Sequence, residues 1–144
     1  MRIKLLVSVT TLLIMLMASA PQVTAAGGAR PNDQYRAYLQ ALYWAKELRQ
    51  FSPYLCERTR NNLESLDGRE RQDAFKRWKK GYVAKFKLVR EEIVGDLAFI
   101  EGTGIGLEFG QLTPAKVRVE MIMENGTWKI KHQVWTGSIS MPHR

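Results

Sequence analysis

The chain has 144 residues, 45% of them hydrophobic and 25% charged, with 22 lysines and arginines against 14 acids and a net charge of +8. That apolar fraction suits a packed core and excludes a disordered chain. A single cysteine excludes an internal disulfide, so packing must supply the stability.

Met1-Arg2-Ile3-Lys4 precedes an apolar run over residues 5–17, which is followed by Ala18-Ser19-Ala20-Pro21-Gln22-Val23-Thr24-Ala25-Ala26. A basic start, a short apolar core and a zone of small residues form the layout of a secretory leader over residues 1–26. The apolar run is shorter than the ~20 residues that cross a bilayer, which argues for a leader over an anchor. Proline after Ala20 disfavours cutting there, and cleavage is expected after Ala25 or Ala26, giving a periplasmic or secreted chain. Removal takes Arg2 and Lys4 and no acid, leaving a net charge of +6. Export also removes nucleic acid from the partners that a basic chain would otherwise suggest.

Residues 27–31 read as a flexible tail, residues 32–137 as one α+β domain and residues 138–144 as a C-terminal tail. From Asn32 or Asp33 as cap, Tyr35, Tyr38, Leu39, Leu42, Ala45 and Leu48 recur at helical spacing, which predicts a helix to about Gln50. Tyr43 and Trp44 widen its apolar girth, so it is wedged between layers or bordered by a cavity or partner. Ser52-Pro53 starts a second helix to about Leu66. On it, Cys56 shares a stripe with Thr59, Leu63 and Leu66 and reads as a buried, inert thiol, with an intermolecular disulfide as the minority reading. Asp67 and Glu70 form a capping-box pattern for a third helix that carries Ala74, Phe75 and Trp78 inward and ends at Gly81.

Beyond Gly81 the period falls to two. Residues 82–92 predict a strand, Val94-Gly95-Asp96 a turn, and residues 97–102 the returning strand. Gly104, Gly106, Gly110 and Pro114 predict an irregular or bulged connection over residues 103–113. Asn125-Gly126 then joins two alternating runs as a type I′ hairpin. Strict alternation puts Met123 opposite Trp128, Met121 opposite Ile130, Val119 opposite His132 and Val117 opposite Val134 on the apolar face. The wetter face pairs Ile122 with Lys129, Glu120 with Lys131 and Arg118 with Gln133. Helices followed by about four antiparallel strands make an α+β fold, N-terminal helices on a curved sheet, with a cone-shaped hollow at one end as the default site.

The order of elements, Val94-Gly95-Asp96-Leu97-Ala98-Phe99-Ile100 and Glu124-Asn125-Gly126-Thr127-Trp128-Lys129-Ile130 resemble the nuclear transport factor 2-like superfamily with its cystatin-like α+β fold. More narrowly, the chain is similar to small exported members grouped with lumazine-binding-like proteins and domains of unknown function. The resemblance covers residues 32–137. It implies one of several roles, because the superfamily holds isomerases, dehydratases, cyclases and non-catalytic binding or assembly domains. An isomerase of this kind implies a carboxylate base in the cone. Asp96, the last aspartate, falls in a turn and Glu120 on the wet face, so Glu101 is the candidate, provided its strand turns that side inward.

His132 is the one ionisable group that strict alternation puts on the apolar face, either as a cone-lining proton shuttle or as a hydrogen-bonded core residue. Glu101, His132, Tyr38, Tyr43 and Trp78 are the expected cone lining, for a small apolar or amphipathic ligand. No spacing resembles a metal set, Met121 and Met123 read as packing, and no cofactor is expected. Nine bases between Arg69 and Arg90, against Glu70 and Asp73, make either a solvated basic face that keeps the domain soluble or a contact for anionic lipid headgroups, an envelope polysaccharide or an acidic protein. An envelope protein or a second copy meeting the sheet are the remaining partners. The leading reading is a non-enzymatic binding domain, and the alternative an isomerase- or cyclase-like enzyme with Glu101 or His132 as base.

Overall fold

The computed structural model describes residues 28–137; the leader expected over residues 1–26 and the tail over 138–144 lie outside the described residues. Pro31 opens helix α1, Pro31–Trp44, where a missing N–H costs nothing. Neither Asn32 nor Asp33 caps it. The cap comes from across the molecule: the Glu91 carboxylate accepts from the Asn32 N–H at 2.8 Å and from the Arg30 guanidinium at 2.7 Å. Glu91→Ala removes both bonds and is expected to lower stability by about 1–2 kcal/mol, read as a lower urea midpoint at unchanged slope.

Helix α1 stops at Trp44 and does not reach Gln50. Ala45 leaves helical geometry at ψ 133°, and Lys79 Nζ donates to the carbonyls of Leu42 and Tyr43, both at 2.7 Å, and of Ala45 at 3.3 Å. A lysine from another helix thus supplies donors that a further turn would have supplied. Two 3₁₀ turns follow, Leu48–Gln50 and Ser52–Tyr54. The long helix expected from Ser52 is interrupted because Leu55 turns extended and pairs in parallel with Ile130, and the Cys56 N–H donates to the Ile130 carbonyl at 2.9 Å. Helix α2, Glu57–Glu64, begins only after that contact, with Cys56 as its N-cap residue and not part of a helical stripe. The thiol is buried, 3.3 Å from Thr59 Oγ1. Helix α3, Gly68–Lys80, starts at Asp67, whose carboxylate accepts from the Glu70 N–H at 2.8 Å.

Four antiparallel strands follow in sequence order: β1, Ala84–Val94; β2, Leu97–Glu108; β3, Gln111–Glu124; β4, Thr127–Gly137. Helix α1 packs across β1, β2 and β4, and α3 packs on α1. This α+β arrangement of three helices on a four-stranded sheet is the expected fold class. The last hairpin turns at Asn125 and Gly126, with φ of 50° and 76°, the positive pair that a type I′ turn requires.

The connection expected over residues 103–113 is instead the continuous β2–β3 hairpin, paired from Leu97↔Ile122 to Glu108↔Gln111. The chain does turn at Phe109 and Gly110, with φ of 48° and 80°, as the glycine there led one to expect, whereas Gly102, Gly104 and Gly106 are sites of close approach. A Cβ at Gly102 would strike the Phe86 ring and stand 2.6 Å from the Lys87 carbonyl oxygen. At Gly104 it would strike Val83 and stand 2.8 Å from the Ala84 carbonyl oxygen, and at Gly106 it would stand 2.7 Å from the Trp135 ring.

The β3–β4 register holds for Met123↔Trp128, Ile122↔Lys129 and Met121↔Ile130, and then shifts. Glu120 lies opposite His132, Val119 opposite Gln133, Arg118 opposite Val134 and Val117 opposite Trp135. Lys131 is the extra residue of a β-bulge, and a bulge reverses the faces of everything beyond it. His132 and Val134, expected inside, are therefore exposed on the outer face, while Gln133 and Trp135 turn inward. Gln133 Nε2 donates to the Gly81 carbonyl at 2.8 Å, which ties the reversed strand to the end of α3.

Between helices and sheet, Tyr35, Tyr38, Leu42, Phe51, Phe86, Ile100, Val117, Met121, Trp128 and Ile130 form one core. Tyr35 meets Phe86 edge-on at 4.9 Å between ring centroids, and Tyr38 meets Phe51 at 6.3 Å. The hollow expected in the cone is thus filled by aromatic and aliphatic side chains. Burial holds both the Tyr35 and the Tyr38 phenol above the usual range, Tyr38 further through its neighbour Tyr35. Above pH ~10 the unfolded chain releases both protons and the folded chain keeps them. Stability is then flat below that pH and falls above it by about 2.7 kcal/mol per pH unit for the pair. The Tyr35 hydroxyl has no hydrogen-bond partner among the described residues. Tyr35→Phe should therefore hold or gain stability at neutral pH and halve that alkaline slope, measured as urea midpoints from neutral to alkaline pH.

Candidate functional site

The five residues expected to line the cone separate into three places. Glu101 and His132 lie on the outer face of the sheet. Ala98, Ile100, Gly102 and Gly106 are the buried positions of β2, so alternation sends Phe99 and Glu101 outward, and the bulge at Lys131 does the same for His132. The two nevertheless border one hollow of about 230 Å³, with Phe99, Arg118, Glu120 and Val134. Glu101 Oε1 is 3.5 Å from Arg118 Nε, and Lys131 Nζ is 2.6 Å from Glu120 Oε1. The hollow is open to water, with the Glu101 side chain 45% exposed, so nothing there encloses a proton transfer.

His132 also borders a hollow of about 420 Å³ with Cys56, Arg58, Thr59, Ile122, Glu124 and Lys131. Sequence reasoning did not place Cys56 and His132 on one hollow, because that depends on the lone Leu55↔Ile130 pairing. Glu124 accepts from the Glu57 N–H at 3.0 Å and so caps α2 from the sheet. No group of three or more His, Cys, Asp or Glu among the described residues is placed to hold a metal ion.

Tyr38 and Trp78 stay together. Tyr38 belongs to the core, and both border a recess of about 220 Å³ with Arg77, Gly81 and Gln133, which is what remains of the cone mouth. Tyr43 is elsewhere, 53% exposed at the end of α1 beside Trp44, 71% exposed. Their rings meet edge-on at 4.9 Å, and Tyr43 lies 5.3 Å from the Tyr82 ring. Burial, then the nearby Tyr43, holds the Tyr82 phenol above its usual range. These rings wall a groove of about 360 Å³ completed by Arg36, Leu39, Gln40, Val83, Lys85 and Phe86. The aromatic girth of α1 was visible in the sequence. Arg36, seven residues before Tyr43, shares that face of α1; the partners Tyr82 and Lys85 were not visible, since they arrive where β1 begins beside α1.

No protein-family profile matches the chain, and no curated protein matches it in sequence. Among solved structures, the chain is similar to a designed protein named for the nuclear transport factor 2 fold, at 11% identity and a TM-score of 0.50 over 74% of this chain and 100% of that one. It is also similar to a SEC-C motif containing protein from Rhodopseudomonas palustris, at 13% identity and a TM-score of 0.46 over 70% of this chain and 71% of that one. A de novo designed β-sheet protein matches at 12% identity and a TM-score of 0.42, over 79% of this chain and 93% of that one. The first of these agrees with the three-helix, four-strand architecture: the chain has an α+β fold of nuclear transport factor 2-like type.

Proposed function

We propose that the chain is an exported, non-enzymatic binding domain that meets a protein partner, in the first instance a second copy of itself, through the outer face of its sheet. The observation that carries this reading is where apolar surface remains once the cone is filled. Phe99 is 40% exposed, Val134 45%, Leu112 77% and Phe109, at the tip of the β2–β3 hairpin, 92%. Leu107 lies directly opposite Leu112 on the same face. The Glu101–Arg118 and Glu120–Lys131 pairs border Phe99 and Val134, so these apolar side chains stand among charges of both signs, which suits a partner surface. Both signs on one face also let two copies pair without a net local repulsion.

Light scattering on the mature chain is expected to give twice the chain mass at micromolar concentration, and Phe99→Glu a monomer with unchanged circular dichroism. A wild-type monomer whose outer-face amides exchange as freely as those of Phe99→Glu would contradict the reading. Mass spectrometry of the exported chain should place its first residue at Ala26 or Gly27; a retained Met1 would contradict the export.

One observation favours acid–base chemistry as a second reading, the shared hollow of Glu101 and His132. It requires that Glu101→Gln and His132→Ala each abolish deuterium exchange into a ketone substrate while leaving the fold intact. Exchange that is absent in the wild type, or unchanged in both variants, removes it.

A further inference from the structure

The geometry points to the groove between the end of α1 and the start of β1 as a binding site for an acidic sugar, a pyranose ring carrying a carboxylate, seated against Trp44 and Tyr43 with its anion held by Lys85 and Arg36. The inference does not rest on the sheet-face reading, because the two surfaces share no residue. Its volume of about 360 Å³ falls in the range of small-ligand sites. Two cations, one amide and three exposed or half-exposed rings line it, and no carboxylate does. Each rival ligand leaves part of that lining without a use. A bare inorganic anion would leave the rings idle, a neutral sugar would leave both cations unpaired, and an acyl chain would strand Arg36, Gln40 and Lys85 against hydrocarbon. A ring with an apolar C–H face and a carboxylate edge engages all of them.

Two further observations set this groove apart from an ordinary basic surface. Lys85 has φ of 52°, in the left-handed region that a lysine adopts only under constraint, and it sits in the register shift between Ala84 and Lys87. Bulges of this kind re-aim a side chain, and backbone strain of this kind gathers at ligand sites. Lys85 makes no salt bridge or side-chain hydrogen bond among the described residues, so its ammonium is uncommitted. The rest of the groove is already fixed. Arg36 lies 5.3 Å from the Phe86 ring centroid and donates one N–H to the Phe86 carbonyl at 3.2 Å, which leaves most of its planar fork for a carboxylate. Lys79 clamps the carbonyls of Leu42, Tyr43 and Ala45, so the aromatic pair stands on a pinned backbone.

The test titrates the mature chain with trigalacturonate, with maltotriose as neutral control, following tryptophan fluorescence and amide chemical shifts. Saturable binding of trigalacturonate at millimolar concentrations or below is expected, with shifts confined to α1 and the start of β1, and maltotriose at least about tenfold weaker, as expected for loss of a charge-assisted contact. Trp44→Ala, at an exposed position, should abolish binding without unfolding. Lys85→Asn tolerates the positive φ but lacks the cation, so it should keep the melting midpoint and bind about tenfold more weakly, and Lys85→Arg should restore affinity. Phe99→Glu should bind as the wild type does. Equal affinity for the acidic and neutral sugars, or full affinity in Trp44→Ala, would overturn the proposal. So would binding of phosphatidylglycerol vesicles through Trp44 with no response to trigalacturonate, which would assign the groove to a membrane surface instead.

Discussion

Gly102→Ala is expected to destabilise the fold by about 3 kcal/mol, and Gly102→Val to prevent folding under ordinary conditions. The added methyl would meet the Phe86 ring and the Lys87 carbonyl oxygen together. A side chain at the end of a flexible stem can step aside, but Phe86 is itself held in the core against Tyr35, and the carbonyl belongs to the neighbouring strand. The strand must therefore move, and with it the paired ladder. Gly68→Ala supplies the contrast. A Cβ there meets nothing within 4 Å, and Gly68 opens α3, so the change should be neutral or stabilising by up to about 1 kcal/mol. Urea denaturation of both variants reads the difference. Equal midpoints for Gly102→Ala and the wild type would mean that β1 does not cross β2 as described.

Deleting Lys129 should cost more than about 4 kcal/mol, whereas deleting Lys131, two residues on, should cost about 1 kcal/mol or less. Loss of Lys129 moves Ile130, now 1% exposed, to the place opposite Ile122 on the outer face, and brings the Lys131 ammonium in opposite Met121. An apolar side chain is exposed and a charge buried in one step. Loss of Lys131 removes only the residue that has no partner of its own in the ladder. His132 still faces Glu120 and Trp135 still faces Val117, so the deletion loses one partly exposed ion pair with Glu120 and straightens the strand. Were β4 regular, the two deletions would be about equally damaging. Thermal or urea unfolding of the pair therefore reads the bulge directly.

Where the sequence was legible, the cause was local. Asn125-Gly126 admits few alternatives once both positions need positive φ, and it located the last hairpin and its first three cross-strand pairs correctly. Asp67 and Gly81 bracket α3 for equally local reasons. Three failures share the opposite character, since each is decided by a contact from far along the chain. Helix α1 ends under Lys79, the helix expected from Ser52 yields to the Leu55↔Ile130 pairing, and Gly104 and Gly106, read as breakers, are spaces for Val83 and Trp135. The candidate site suffered most. One unpaired residue at 131 sent His132 outward, and strict alternation cannot reveal a bulge whose only signature is that Gln133 and Trp135 find partners inside. Glu101 was open to either face in the sequence, and Ile100 settled it by being the side chain that the core takes. The aromatic side of α1 was visible as a stripe too wide for one layer, but that Lys85 would face it was not.

The last strand reverses its faces at Lys131, aromatic and aliphatic side chains fill the space between helices and sheet, and the groups able to act on a ligand stand outside it. Single cysteines at positions 132, 133, 134 and 135, introduced in turn into a Cys56→Ala background and challenged with a thiol reagent, test this arrangement most directly. His132→Cys and Val134→Cys should react as open thiols, and Gln133→Cys and Trp135→Cys at least about tenfold more slowly. Slow labelling at 132 and 134 with fast labelling at 133 and 135 would contradict it, restoring His132 to the interior and a hollow around it.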